Sequence, residues 1–523
     1  MGNLTVQKIF LALVTLGAFV ASPWITSELL EGNSTPFILV LGVGGLLIFL
    51  YVLKDNCWMM IPFCLAIEGR FNFLPANFSM LEFATLMVLA YVIIQIVMGR
   101  QVLWRLGPAI LWVPLAGLLS ILLYHWISSG DIGIRVLGGS GWGGRKYVTI
   151  SIACLSYFLI LAFSGDSPRK FQWIPLLYFV GTFFDIIPQG VTTLYPSLAP
   201  YVFKFYSGVN LTEYGSYISS AFSGESSVTR IRQFSQVGTG LLLLLMCYRP
   251  IPLWLTPSNL WTIPLLIVSF FATAFSGFRS AIFNYFIAAF AGSYAYLRLF
   301  ALLILPIIPL VAAFVALTNQ TLIHYPQSIQ RTLSFLPGNW EARALLEAES
   351  SSKWRQKIRE LFFAEYFQKS SWIGLGYSFD PMLALRATDV YLQAAAMREN
   401  DPYEDTRPFI EMRQPHEGDI HAMLVSGTAG LAFFSIFCLS SLVFVFGFLR
   451  SVPVRQVLPI HVWTSAVVAQ QTLGFFLLFG DYSNMLPQIL PALALLIAYR
   501  RCEESARPVS NPPAPGGPPP AGL

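Results

Sequence analysis

His416 lies where the long polar segment 319–418 ends and an apolar run begins. A histidine at such a junction is expected where water meets lipid. Its ordinary pKa of about 6.5 allows it to accept a proton at physiological pH. Glu417 and Asp419 are placed to orient the imidazole or to raise its basicity. His421, inside the expected start of the next helix, is the competing base, and a purely structural loop histidine is the alternative.

Three arginines have the chemistry to bind a phosphate group. Arg230 and Arg232 precede an apolar run, and Arg279 lies in a short turn between two such runs. A guanidinium group binds phosphate through paired hydrogen bonds and does not lose its charge. The alternative is that these side chains reach lipid phosphates or pair with Glu213 or Glu225.

Other polar residues point to chemistry less directly. Glu68, Asp185 and Asp481 lie near the ends of apolar runs, where partial solvation is the simpler interpretation. We find no Asp-x-Asp pair, no metal-ligand spacing and no Walker A sequence, so neither a metal nor a nucleotide is expected as cofactor. The glycine-rich stretch 138–144 does not follow a buried strand and is predicted to be a flexible loop.

The composition predicts an all-α polytopic membrane protein. Of 523 residues, 55% are hydrophobic and 11% charged, against about 25% charged in soluble proteins. A membrane-spanning helix needs about 20 mostly apolar residues. The segments that meet this need are 8–27, 36–53, 56–73, 79–98, 105–126, 147–164, 170–188, 235–248, 258–275, 279–296, 299–318, 419–449, 456–480 and 484–500. We therefore expect about 12–14 transmembrane helices.

Charge predicts the orientation of these helices. With the N-terminus in the cytoplasm, the short inside connections and the C-terminal end hold a set of basic residues, in agreement with the positive-inside rule. These residues are Lys54, Arg100, Arg105, Arg169, Lys170, Arg249, Arg298, Arg450, Arg455, Arg500 and Arg501. The net charge of +5 is better explained by this topology than by binding to nucleic acid, so nucleic acid is not an expected partner.

The chain is predicted to divide into four parts. Residues 1–318 carry transmembrane helices with outer loops at 127–146 and 191–233, and 319–418 form a long periplasmic module. Residues 419–500 carry the last transmembrane helices, and the proline-rich end 501–523 is expected to be a disordered cytoplasmic tail. Within the module, apolar residues at helical spacing between Glu341 and Gln368 predict an amphipathic helix. It either lies on the membrane or packs within the module.

Four segments, in this order, resemble the O-antigen ligase and O-antigen polymerase family of bacterial membrane glycosyltransferases. They are Arg230-Ile231-Arg232-Gln233-Phe234; Ser276-Gly277-Phe278-Arg279; Ser352-Lys353-Trp354-Arg355 followed by 372–379; and His416 with Ile420, Met423, Gly427 and Gly430. Two positions depart from the family pattern. Glu417 stands where the family usually has asparagine, and Gln233 where it usually has glycine, so the choice between Arg230 and Arg232 stays open.

The resemblance implies a fold of the GT-C type and a reaction on the outer face of the bacterial inner membrane. A glycan would move from undecaprenyl diphosphate to an acceptor hydroxyl, without a metal and with inversion. By resemblance, His416 would be the base and Arg279 with Arg230 or Arg232 would bind the diphosphate, supported by Arg355, Glu417 and His421.

The acceptor is not readable from the sequence. Lipid A-core would make the protein a ligase, and a growing lipid-linked chain would make it a polymerase of O-antigen or exopolysaccharide. Membrane lipid and other proteins of a glycan-assembly complex are further expected partners. A transporter of polysaccharide or lipid-linked oligosaccharide is the alternative function. It predicts charges deep in several spans and paired structural repeats.

Overall fold

A computed structural model describes residues 53–70, 78–99, 106–129, 144–163, 167–206, 232–254, 256–304, 307–379, 403 and 406–506. The regular elements in these ranges are helices, and no strand lies among them. The first eight α-helices are α1 Met60–Cys64, α2 Met80–Val97, α3 Ala109–Ser128, α4 Gly144–Phe163, α5 Ile174–Leu194, α6 Ala199–Phe205, α7 Arg232–Tyr248 and α8 Thr262–Phe275. The next eight are α9 Arg279–Leu297, α10 Ile307–Thr318, α11 Gln327–Leu333, α12 Ala342–Leu361, α13 Arg407–Glu411, α14 Gly418–Ser451, α15 Pro459–Leu477 and α16 Tyr482–Ala506.

Eight of the described helices are long and apolar enough to cross a membrane, so the chain is a multi-pass membrane protein. They are α2, α3, α4, α5, α8, α9, α14 and α16, some extended by an adjoining 3-10 turn. The predicted span 8–27 and nearly all of 36–53 lie outside the described residues. The predicted total of 12–14 therefore stays a prediction.

The bundle is built around α16. Most of this helix is buried on every side, as expected of a helix that is apolar around its whole circumference. It packs along α4, while α9 packs along α15, α7 along α8, and α3 along α14. The central position of α16 fixes the residue that precedes it, Asp481, between several other helices.

The helix ends define two faces of the bundle. At one face, called the site face below because His416 lies there, α2, α4, α14 and α16 begin and α3 ends. Arg145 of α4 forms an ion pair there with Glu82 of α2. At the opposite face, Arg501 donates a hydrogen bond to the carbonyl of Leu106 at 2.9 Å. Basic residues gather at the helix ends of this opposite face: Arg169, Lys170, Arg249, Arg298, Arg450, Arg455, Arg500 and Arg501.

The predicted span 56–73 does not form one long helix. A 3-10 turn over Lys54–Met59 leads into the five residues of α1, and the chain is irregular from there to Arg70. The reason lies in Asp185 of α5, whose carboxylate accepts hydrogen bonds from the backbone amides of Glu68 (2.7 Å) and Gly69 (3.1 Å). These bonds replace the helical ones and allow the backbone to leave the helix while buried.

Two further boundaries differ from the sequence prediction. The described residues of the predicted span 299–318 form a 3-10 turn over Arg298–Ile304 and the 12 residues of α10. The predicted disordered tail begins too early, since α16 continues to Ala506. An Arg500–Glu504 ion pair of 2.9 Å stabilises this last turn. Residues 507–523 lie outside the described part.

The predicted amphipathic helix is α12, and it packs against its own module and the start of α14. Ile358 and Leu361 are fully buried and, with Phe362, contact Ile410 of α13 and Ile420 of α14. A single π-helical turn over 362–366 follows α12. This contact fixes the position of Trp354 and Arg355, one turn earlier on α12, relative to the start of α14.

Candidate functional site

His416 stands two residues before α14 in a left-handed backbone conformation, with φ of 60°. This conformation is uncommon for a residue with a side chain and costs of order 1 kcal/mol, so surrounding contacts must impose it. Glu417, in an extended conformation at the helix start, is one such contact. Its carboxylate accepts hydrogen bonds from Arg359 of α12 at 2.7 and 3.1 Å.

Three aromatic rings surround the imidazole of His416. The ring centroids of Trp354, Phe409 and Phe479 lie 5.4, 5.6 and 5.2 Å from that of the histidine. They come from α12, α13 and the turn before α16, so three separate segments meet at this side chain. Phe479 remains 43% exposed, which leaves one side of the cluster open.

The charge around His416 is mainly positive. Burial, together with the charges of Arg355 and Lys146, lowers the pKa of His416 to about 4, while Asp481 acts in the other direction. The imidazole is therefore neutral at physiological pH and has a free lone pair. An anion bound beside it would offset the two cations and strengthen it as a base.

Asp481 is the centre of a buried polar network next to His416. Its Oδ2 atom accepts from the Lys146 ammonium at 2.7 Å, and its Oδ1 atom accepts from the Tyr377 hydroxyl at 3.1 Å and the Ser483 amide at 2.8 Å. His421 Nε2 lies 3.4 Å from Oδ1 and 3.3 Å from the Tyr377 hydroxyl. Burial acts to raise the pKa of Asp481, but the Lys146 ammonium helps to hold that pKa well below its usual range.

A break in α14 at Gly427 positions this network. Gly427 has φ of 69°, and a Cβ atom there would lie 2.1 Å from the carbonyl oxygen of Trp372. The segment 371–376 enters the break and satisfies the backbone groups that the helix leaves free. Four bonds join them: Leu375 N to Leu424 O (2.8 Å), Gly376 N to Val425 O (2.9 Å), Thr428 N to Ser371 O (3.0 Å) and Ala429 N to Trp372 O (3.0 Å). Tyr377 follows directly and so reaches Asp481.

Arg279 lies at the start of α9 and is joined to the helix that carries Arg355. Its guanidinium donates to the carbonyl of Ala348 at 3.1 Å. Ala348 and Arg355 are two turns apart on α12, roughly 10 Å along the axis. Arg331 of α11 is buried beside the turn that precedes Arg279, with Nη1 3.5 Å from the carbonyl oxygen of Gly277. The structure therefore connects Arg279, a predicted phosphate-binding arginine, through one helix with Arg355, a predicted supporting residue.

Arg232 occupies a different environment at the site face. It starts α7, its side chain is 60% exposed, and it pairs with Glu68 at 2.9 Å. Phe234, two residues on, packs against Phe275 with ring centroids 6.2 Å apart, so Arg232 lies close to the turn that ends in Arg279. Arg230 lies outside the described residues.

The two predicted supporting residues at the start of α14 have other partners. The Glu417 carboxylate turns to Arg359, as does that of Asp419 at 3.4 Å, so Glu417 acts on His416 through the backbone. His421 lies in the first turn of α14, is 1% exposed and belongs to the Asp481 network.

Sequence reasoning missed Lys146 and Tyr377 and took Asp481 for a partly solvated residue. The Asp481 side chain is 11% exposed. Lys146 had a usable signal, because it is a cation at the start of an apolar run on the face expected to be poor in positive charge. Lys146 and Arg145 belong to the first turn of α4, whereas the outer loop was predicted to extend to residue 146.

No family model matches the chain, and no curated protein matches it either. Across the described ranges, no group of three or more His, Cys, Asp or Glu side chains is arranged to hold a metal ion. The function must therefore be inferred from the residues around His416 and from the sequence resemblance.

Proposed function

We propose that this protein is a membrane glycosyltransferase that moves a glycan from undecaprenyl diphosphate to an acceptor hydroxyl. The observation that carries the proposal is the position of His416 at one end of an apolar helix bundle, with its ring 5.4 Å from that of Trp354, the residue directly before Arg355 on α12. A base and an anion-binding group side by side suit a reaction in which a hydroxyl loses a proton and a diphosphate leaves.

In the proposed reaction, the acceptor hydroxyl oxygen attacks the anomeric carbon of the glycan. Its proton passes to the free ring nitrogen of His416, and the bond between the anomeric carbon and the diphosphate oxygen breaks. The electron pair of that bond stays on the diphosphate, where the arginines stabilise its charge. A single displacement of this kind inverts the anomeric centre.

The arginines divide into a near and a far group in this proposal. Arg355, close enough to His416 to alter its pKa, would hold the phosphate next to the anomeric carbon. Arg279, joined to the same helix through Ala348, would hold the distal phosphate or guide the lipid carrier to it. Arg232, exposed beside the same turn, and Arg230 would attract the anionic headgroup from the membrane surface.

The proposal includes a GT-C-like fold in the bacterial inner membrane, with the site face towards the periplasm and both termini in the cytoplasm. The basic residues at the helix ends of the opposite face support this orientation. The module 319–418 would then lie in the periplasm. Ligase and polymerase remain equal options, with lipid A-core or a growing glycan as acceptor.

A transporter of lipid-linked glycan is the second candidate, and one observation favours it. Two ion pairs, Arg145–Glu82 and Lys146–Asp481, lie largely inside the bundle, and buried charges in membrane helices often line transport paths. All four residues, however, lie at or near helix starts at the site face. They therefore suit a site at one membrane surface better than a path across it.

The proposal is tested by His416→Gln and Arg355→Gln in cells at matched protein abundance. We expect glycan product to fall by at least tenfold while the undecaprenyl-linked precursor accumulates outside the membrane. His324→Gln is the matched control, because that histidine is 70% exposed and pairs only at the surface with Glu341. Precursor retained inside would indicate the transporter, and unchanged product in both variants would refute the proposed site.

A further inference from the structure

Lys146 occupies the boundary between the buried Asp481 network and the space around His416. Its side chain is 22% exposed, against 11% for Asp481 and 1% for His421. One side of the ammonium faces Asp481 Oδ2 at 2.7 Å, and it lies 4.9 Å from the centre of the Tyr377 ring. An ammonium group has three donors, so the bond to Asp481 leaves hydrogen-bonding capacity for a further acceptor.

The Lys146–Asp481 pair lies next to His416, because Phe479, whose ring centroid is 5.2 Å from that of the imidazole, stands two residues before Asp481. The groups whose charge reaches the imidazole are Arg355, Lys146, Asp481 and His421. The acids closest in sequence, Glu417 and Asp419, are bound by Arg359. Among the described residues, Arg355 and Lys146 are the cations whose charge acts on the imidazole and Asp481 is the carboxylate that does, an arrangement that suits a bound anion.

Asp481 holds the Lys146 ammonium in place and uses only some of its hydrogen-bond donors. The carboxylate receives the Tyr377 hydroxyl and the Ser483 amide on one oxygen and Lys146 on the other. Tyr377 is itself fixed, because its backbone amide donates to the hydroxyl of Tyr147 at 2.8 Å. The ammonium thus has a rigid anchor, while the Lys146 side chain remains 22% exposed.

We infer that Lys146 is a second cation that binds the diphosphate of the donor beside His416, and that Asp481 is its positioning residue. This inference rests on the proposed function and names a further residue of that same site. Lys146 comes from α4 and Arg355 from α12, so a diphosphate between them would be held from two separate helices. Lysine acts here as a compact point charge, which complements the planar, bidentate arginine.

The test measures binding of inorganic pyrophosphate to the purified full-length protein in detergent by calorimetry. We expect Lys146→Met to weaken binding at least tenfold and Lys146→Arg, which keeps the charge, to weaken it by less than about threefold. Lys353→Met is the matched control and should bind as the wild type does, since Lys353 is 70% exposed and pairs with Glu349. The inference would be overturned if Lys146→Arg folds normally but binds pyrophosphate as weakly as Lys146→Met does.

A second measurement locates the anion. Pyrophosphate should protect His416 from modification by diethyl pyrocarbonate, read by mass spectrometry, and Lys146→Met should remove most of this protection. Asp481→Asn should reduce the protection in part, because the ammonium then loses its anchor. Loss of folding would raise the modification of His416 above the wild-type level even without pyrophosphate, whereas a folded Lys146→Met variant should keep the wild-type level in the absence of pyrophosphate.

The two proposals fail differently. If Arg355→Met abolishes pyrophosphate binding while Lys146→Met leaves it unchanged, the role of Lys146 is refuted and the glycosyltransferase remains supported. A different result would refute the proposed function and leave the anion site standing. In that case Lys146→Met and Lys146→Arg bind pyrophosphate as expected, but the wild type transfers no glycan from undecaprenyl diphosphate.

Discussion

Lys146 and Asp481 form an ion pair with an Nζ–Oδ2 distance of 2.7 Å, which joins the first turn of α4 to the residue before α16. Through Tyr377, Asp481 also holds the segment that enters the break in α14. One carboxylate therefore ties three parts of the site face together. His416 is linked to the same carboxylate, because Phe479, which packs against its imidazole, lies two residues before Asp481.

Breaking this ion pair should cost stability. We expect Asp481→Asn to lower the free energy of unfolding by about 2 kcal/mol, less than for a fully buried pair because Lys146 is partly exposed. The double variant Lys146→Met with Asp481→Asn should lose less than the sum of the single variants. Equilibrium unfolding in detergent measures both. Glu504→Gln breaks the exposed Arg500–Glu504 pair and is the control, with an expected loss below about 0.5 kcal/mol.

The break in α14 should require glycine at position 427. Gly427→Ala places a Cβ atom 2.1 Å from the carbonyl oxygen of Trp372, at a φ of 69°. We expect a loss of at least about 2 kcal/mol in unfolding free energy, with displacement of the segment 371–376. Gly447→Ala is the matched control in the same helix, since no atom lies within 4 Å of a Cβ there. It should leave stability unchanged or raise it by up to about 1 kcal/mol. Equal losses in both variants would contradict the role of the break.

Hydropathy found most of the helices but could not find the contacts that connect them. The start of α14 after His416 follows from the change from polar to apolar sequence, and the helix begins at Gly418, one residue before the predicted start. The break at Gly427 is invisible to hydropathy, because the residues on both sides are apolar and helical. Asp481 looked solvated, since its partner Lys146 lies 335 positions away and no local pattern connects them. The irregular course after Cys64 likewise depends on Asp185, which is distant in sequence.

Arg359 should control the conformation of His416 without contacting substrate. Arg359→Gln releases the Glu417 carboxylate and with it the constraint on the left-handed backbone at His416. We expect kcat for glycan transfer to fall about tenfold with little change in KM, because the base is misplaced and the cations remain. Lys353→Gln removes an exposed ion pair with Glu349 within the same helix and should have little effect. Unchanged kcat in Arg359→Gln would show that the loop keeps its conformation unaided.

His416 should also make stability depend on pH in a defined direction. Its folded-state pKa of about 4 lies below the ordinary value of 6.5, so the unfolded chain binds a proton first as the pH falls. The stabilisation from the neutral, buried imidazole is complete above about pH 6.5 and is lost as the pH falls towards 4. His416→Gln has no such proton, and its unfolding free energy should fall less steeply across this window.

The difference between wild type and His416→Gln isolates this effect, because both proteins share the other groups near the site, namely Arg355, Lys146, Asp481 and His421. Denaturant unfolding at half-unit steps from pH 7 to pH 4 measures it. Parallel curves for the two proteins would mean that His416 titrates near its ordinary value and that Arg355 and Lys146 do not act on it. Pyrophosphate should reduce the difference, since an anion beside the two cations restores the proton affinity of the imidazole.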